Sequence, residues 1–151
     1  MHVEHARHIA TALMADHGLT RWSFRFDRAV RRAGQTNFTT RTISLSKPLT
    51  ELCDEDQVLD TIRHEIAHAL AGPRHGHDQT WRKIASELGA TPRARRHFPQ
   101  VPGRYVAVCS AGHTHYRYRK PRAQVSCGRC SRTYSENHRL NFVDMLSLIH
   151  I

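Results

Sequence analysis

The stretch from Asp54 to Pro73 constrains this chain more than any other. Asp54 followed three residues later by Gln57 is a capping-box pattern, and Glu55 and Asp56 add negative charge where a helix dipole is positive. Val58, Ile62, Ile66 and Ala69, with Leu59 and Leu70 beside them, recur at helical spacing, and Gly72-Pro73 cannot continue the helix. A helix is therefore predicted to run to about Ala71. Its last two turns carry His64-Glu65-Ile66-Ala67-His68. Residues four apart on a helix are rotated by about 400°, so both imidazoles leave the same face one turn apart and can grip one metal ion. A zinc ion held in this way takes a third protein ligand and keeps an open position for water, and the Glu65 carboxylate beside it is suited to take that water's proton.

The third ligand must come from beyond the helix. The compact metzincin pattern places a glycine three residues after the second histidine and another histidine three further on; here those positions are Ala71 and Arg74, which excludes it. His75 and His77 remain. Asp78 to Leu88 reads as a further helix, with Trp81, Ile84, Ala85 and Leu88 on one face and Gly89 ending it. His77 precedes this helix by one residue, on the side of Trp81, whereas His75 lies in the turn itself. Packing that face on the metal helix favours His77, with His75 as its rival.

The segments before the motif supply its scaffold. Residues 2 to 17 place Val3, Ala6, Ala10 and Leu13 at helical spacing, and Gly18 stops the run. Trp22, Phe24 and Phe26 alternate with Ser23 and Arg25 as a half-buried strand does. A turn is expected around Arg31 to Asn37, and Thr39 to Ser46 resumes as a β-rich segment closed by Pro48. Together they predict a short antiparallel sheet laid on the helices.

Charge divides the chain further. Residues 1–90 carry 12 Lys+Arg against 11 Asp+Glu, whereas residues 91–139 carry 11 against 1. That segment holds the basic excess, an electrostatic footprint for polyanions. Residues 91–104, rich in Pro and Arg, read as a basic linker. From Tyr105, Cys109 with His113 and Cys127 with Cys130 form two knuckles separated by a hairpin-length insert, the donor set of a closed tetrahedral zinc site, with His115 as rival for the second position. Arg104, Arg117, Tyr118, Arg119, Lys120, Arg122, Arg129 and Arg132 combine cations for phosphates with a ring for base stacking, the components of a surface for single-stranded DNA. Cys53 stands apart as an ordinary thiol. No apolar run is long enough to cross a bilayer, and the N-terminal segment is charged and amphipathic rather than a secretory signal, so a cytoplasmic location is expected, nucleoid-associated if the source is bacterial. Residues 140–151 end in an apolar run, readable as a partner-binding strand or as an artefact of where the reading frame was cut.

Thr42-Ile43-Ser44-Leu45-Ser46, His64-Glu65-Ile66-Ala67-His68-Ala69-Leu70, Gly76-His77-Asp78-Gln79-Thr80-Trp81 and Leu88-Gly89 together resemble the SprT-like metalloprotease domain, the family of Spartan-type proteases, over about residues 5 to 139. The resemblance implies an α+β, zincin-like core of minimal gluzincin type over residues 1–90, with a small antiparallel sheet, followed by a zinc β-ribbon over 105–139. It implies His64, His68 and His77 as zinc ligands and Glu65 as the catalytic carboxylate. It also implies that the strand around Thr42 to Ser46 is the edge along which an extended substrate lies. The expected function is a monomeric zinc endopeptidase with one catalytic and one structural zinc, acting on proteins bound to DNA that is single-stranded or has single-stranded character, DNA–protein crosslinks included. The competing readings are a non-catalytic nucleic-acid-binding protein with two structural zinc sites, and a zinc peptidase without a DNA role.

Overall fold

A computed structural model describes residues 1–149. The final residues of the apolar tail, 150 and 151, lie outside the described residues. The chain divides into two units, one of Met1–Pro99 and one beginning at Gln100.

In the first unit, α1 (Val3–Asp16) and α3 (Glu55–Ala71) pack against a sheet of β1 (Ser23–Asp27), β2 (Gly34–Asn37) and β3 (Thr42–Ser46). The short α2 (Lys47–Leu52) joins β3 to α3, and α4 (Gln79–Leu88) follows. Alanines at positions 6 and 10 let α1 approach the core closely, where they are buried with Met14, Ile43, Leu45, Val58, Ile62 and Ile66. Full burial of an isoleucine such as Ile62 or Ile66 contributes about 2–3 kcal/mol.

The sheet is mixed, not antiparallel throughout. Its order is β1-β3-β2, with β3 parallel to β1 and antiparallel to β2. The segment after β1 crosses to the far side of β3, and residues 38–41 then turn β2 back into β3. Asn37 closes that turn by accepting the Thr40 N–H at 3.1 Å. Gly34 to Asn37, expected in a turn, is thus a strand: Gly-Gln-Thr-Asn has no apolar alternation because its support is β3 on one side and α3 beneath. Pro48 lies in the first turn of α2, a helix the strand reading passed over, where its missing N–H costs nothing. Ser46 caps that helix by accepting the Leu49 N–H.

Both halves of the capping box of α3 are made, Gln57 N–H to Asp54 at 2.8 Å and Asp54 N–H to Gln57 at 3.1 Å. Gly72, at φ 97°, ends the helix in a conformation that side chains rarely adopt. Leu70, expected beside the buried stripe, is exposed, because at the last turn the buried face passes to Ala67, against Trp81 and Ala85 of α4. Residues 91–99, expected as the start of a linker, belong to the first unit. Asp60 fixes them, accepting from the Thr91 N–H at 2.6 Å and from Arg96 Nη1 at 3.1 Å, and Phe98 packs on the core.

The second unit has an antiparallel sheet of order β5-β4-β6, from β4 (Tyr105–Val108), β5 (Thr114–Arg117) and β6 (Val143–Asp144). Its core is small: Ala107, Cys109, Cys127 and Leu140, with Val125, Cys130 and Phe142 against them. A short helix α5 (Met145–Ile149) follows β6. Leu140 and β6 carry this unit past residue 139. Among the described residues no helix is long and apolar enough to cross a membrane.

Asp27 ties β1 to β3 and to the crossing segment. Burial opposes its charge, but the Ala29 N–H at 2.9 Å, the Ser44 hydroxyl at 2.8 Å and Arg32 at 3.0 Å hold its carboxyl below the usual range. A folded-state pKa below the unfolded one stabilises above the unfolded value and ceases to do so as pH falls through the folded one. Asp27→Asn should therefore lose about 1–2 kcal/mol at neutral pH, with the gap to wild type closing below about pH 4. Urea unfolding at pH 7 and pH 3 measures this.

Candidate metal centre

His64 and His68 leave the last two turns of α3, and His77 comes from the segment after Gly72, just ahead of α4. The His77 Nε2 lies 3.0 Å from that of His68 and 3.1 Å from that of His64. His75 is held away from the trio by Asp78, whose Oδ2 is 2.7 Å from its Nδ1. Asp78 also caps α4, accepting the Trp81 N–H at 3.0 Å, so one carboxylate sets the start of the helix and the place of His75.

Trp81 is fully buried behind the three rings. It lies stacked 5.1 Å from His68 and edge-on at 4.6 Å to both His64 and His77, and its indole N–H donates to the His64 carbonyl at 3.4 Å. The helical spacing marked it as core, which it is; its second duty, backing all three imidazoles, depends on the α3–α4 crossing.

The donor set fits a zinc ion. A neutral imidazole Nε2 offers either one hydrogen or one lone pair, so three converging nitrogens cannot all satisfy one another, whereas a shared cation satisfies every lone pair. Tetrahedral ligation at zinc–nitrogen distances of about 2.0–2.1 Å separates the nitrogens by about 3.3 Å, near the observed spacing. Burial lowers His64 to about 3, with Arg96 and the neighbouring histidines adding to it, and lowers His68 to about 4 in the same way. Burial and Arg96 also lower His77. All three rings are therefore neutral near pH 7. His64 Nδ1 is buried without a hydrogen-bond partner among the described residues.

Glu65 sits between this centre and β2. Burial raises its carboxyl to about 7, opposed by the Thr36 hydrogen bond and the charges of Arg96 and Arg32. The Thr36 hydroxyl lies 2.7 Å from Glu65 Oε2 and 2.9 Å from the Glu65 carbonyl. Gly34 lets the strand come this close: a Cβ there would lie 2.9 Å from Glu65 Cγ and 3.0 Å from Thr61 Cγ2. Sequence reasoning missed both residues, and the sole available signal was a glycine within a polar β-compatible run.

These groups floor a cleft of about 660 Å³, walled by residues 31–38 and 94–98. The expected substrate edge is corrected here. The strand Thr42–Ser46 is paired on both sides and offers no free edge, whereas β2 is an edge strand and lines the cleft. The Ser46 N–H donates to the Ala33 carbonyl, which makes 33 and 46 a hydrogen-bonded pair. By antiparallel alternation Gln35 and Asn37 also bond to β3, leaving the backbone groups of Gly34 and Thr36 directed outward.

In the second unit Cys109, His113, Cys127 and Cys130 converge. His113 Nδ1 lies 3.4, 3.5 and 3.3 Å from the three sulfurs in that order, and Cys109 and Cys130 are 3.8 Å apart. Tetrahedral zinc with zinc–sulfur distances of about 2.3 Å separates its sulfurs by about 3.8 Å. Burial disfavours the Cys109 thiolate, but the N–H groups of His113 and Ala111 together with the Cys130 and Cys127 thiols outweigh it and bring this thiol down to about 6. His115 stands outside the group, its Nε2 3.2 Å from Cys127 Sγ.

The basic residues separate into two kinds. Arg104 is engaged within the unit, forked onto Asp144 with Nη2 at 2.7 Å, and Arg117 lies over the Phe142 ring at 5.7 Å. Tyr118, Arg119, Lys120, Arg122, Arg129 and Arg132 are exposed. Lys120 and Arg122 line a hollow with Phe142 and Arg139, a cation the sequence reading did not include.

Gly34→Ala tests the approach of β2 to Glu65. Overpacking of this kind should cost about 1–3 kcal/mol in urea unfolding, because the opposing atoms include the stem of a buried carboxylate and a β-branched threonine.

A family model described as the SprT-like family matches residues 4–105. A protein named "Protein SprT-like" from Geobacillus sp. (strain WCH70) is 33% identical over 109 residues, which cover 64% of this chain and 69% of that protein. No solved structure matches the chain. The family match thus spans the first unit and stops at the beginning of β4, so the cysteine-bearing unit lies almost wholly beyond it. A match over two-thirds of its length, containing the three converging histidines and Glu65, makes this chain a member of the SprT-like family.

Proposed function

We propose that this chain is a zinc-dependent endopeptidase with a zincin-like core, acting on DNA-associated proteins and on DNA–protein crosslinks among them. The observation that carries the reading is the buried Glu65 carboxylate beside three converging neutral imidazoles, on the floor of a cleft bordered by a free strand edge. Membership of a family of metalloprotease type agrees with it.

His64, His68 and His77 would hold the catalytic zinc, which when bound supplies Lewis acidity toward water and toward a peptide carbonyl. Glu65 takes a proton from the attacking water and passes it to the leaving nitrogen. Burial raises this carboxyl to about 7 in the metal-free pocket, and a cation held by the three histidines would favour its charged, proton-accepting form. The Thr36 hydroxyl holds Glu65 Oε2, while Oε1 lies against Gly34. Outward backbone groups at Gly34 and Thr36 align an extended polypeptide across the cleft by adding a strand to the sheet. Cys109, His113, Cys127 and Cys130 would hold a second, structural zinc that supports a core too small to stand without it. The exposed Arg119, Lys120, Arg122, Arg129 and Arg132, with the Tyr118 ring, support a DNA-binding role for the second unit.

The test combines metal analysis with cleavage. Wild type and Glu65→Gln should each contain two zinc ions per chain, and cleavage of a DNA-bound protein, dependent on added DNA, should vanish in Glu65→Gln alone. His113→Ala should lose one ion and His115→Ala none. Cleavage that survives in Glu65→Gln would refute the role given to this carboxylate.

A further inference from the structure

Two segments that line the cleft carry the same charge. Arg31 and Arg32 stand on the segment entering β2, and Arg95, Arg96 and His97 stand on the stretch after α4. Glu65 is the single carboxylate among the lining residues. Two of these arginines are held in place: Arg32 by Asp27 at 3.0 Å, and Arg96 by Asp60 at 3.1 Å and by the Phe98 ring at 5.2 Å. Arg96 thereby presents a fixed charge toward Glu65 and the histidines. Arg31 and Arg95 are exposed and make no ion pair among the described residues.

Lining segments of one sign over a recessed low-dielectric floor focus a positive potential in the cleft. Such a cleft favours an anionic occupant and repels lysine and arginine side chains. The anion can belong to a polypeptide or to a phosphate backbone, and the strand edge decides between them. Gly34 and Thr36 turn amide and carbonyl groups into the same cleft, and only a polypeptide has the matching ladder of donors and acceptors.

We propose that the cleft selects polypeptide segments bearing aspartate or glutamate, with the exposed Arg31 and Arg95 as specificity-determining residues. That such segments are cut rests on the endopeptidase reading; the charge selection rests on the cleft alone. Basic sequences are disfavoured occupants.

The experiment uses one labelled ten-residue peptide in three versions, with Asp/Glu, Asn/Gln or Lys/Arg flanking a constant centre. Binding to full-length, zinc-loaded Glu65→Gln is read by fluorescence anisotropy at low and high salt. The acidic peptide should bind about tenfold tighter than the neutral one at low salt, with the gap shrinking as salt rises. The double substitution Arg31→Gln and Arg95→Gln, on exposed side chains, should narrow that gap to about twofold. Equal affinities for the three peptides, or tightest binding of the basic one, would overturn the proposal. So would a double variant that loses affinity for a single-stranded oligonucleotide while keeping the full preference for the acidic peptide, since the cations would then serve phosphates. Acidic preference in binding with no cleavage of any peptide by wild type would count against the endopeptidase reading and leave the charge selection standing.

Discussion

The geometry of the first unit depends on how a carboxylate is kept out of water where α3 passes beneath β2. Removing Glu65 from solvent disfavours its charge, and the opposing influences are few: one hydroxyl from Thr36 and the more distant Arg32 and Arg96. That balance requires the strand to lie almost in contact with the helix, which is possible because position 34 has no side chain. The sheet order follows from the same requirement. A β2 placed between β1 and β3 would lose its free edge, whereas at the far side of β3 it keeps one edge open beside the cleft.

Burial has the opposite effect on the histidines. It lowers the pKa of an imidazole and raises that of a carboxyl, so one desolvated pocket yields neutral imidazoles and a carboxyl raised to about 7 together. Trp81 is central to that desolvation, closing the far side of all three rings. Asp60 does comparable work at the other wall, where its two oxygens hold residues 91–96 against α3 and bring Arg96 to the cleft. A stretch that composition marks as a basic connection becomes a wall of the site through one carboxylate.

The second unit illustrates a different solution to stability. Among the described residues, two of the four buried residues that form its core are cysteines, so groups of the core are also groups that converge on His113. A disulfide would use two of these sulfurs and leave the histidine without a purpose; all four cysteines of the chain are free, and three of them share one nitrogen.

Local rules sufficed for much of this. The capping box at Asp54, the stop at Gly72-Pro73, the i, i+4 pair of histidines and the separation of the two cysteine knuckles are properties of neighbouring residues, and local backbone geometry is enough to express them. The choice of His77 over His75 was already favoured by its position relative to Trp81. What local pattern could not reveal was long-range pairing. The parallel register of β1 with β3, Thr36 at Glu65 and Arg96 on Asp60 join residues 17 to 36 positions apart. A polar run such as Gly34 to Asn37 has no periodicity to announce itself, because its neighbours, rather than its own side chains, make it a strand. The sequence by itself determined which metal-ligating and titratable side chains the chain offers and at what spacing; tertiary structure decided which of them converge, which backbone lies beside them and which charges surround them, since these depend on packing between segments that share no local signal.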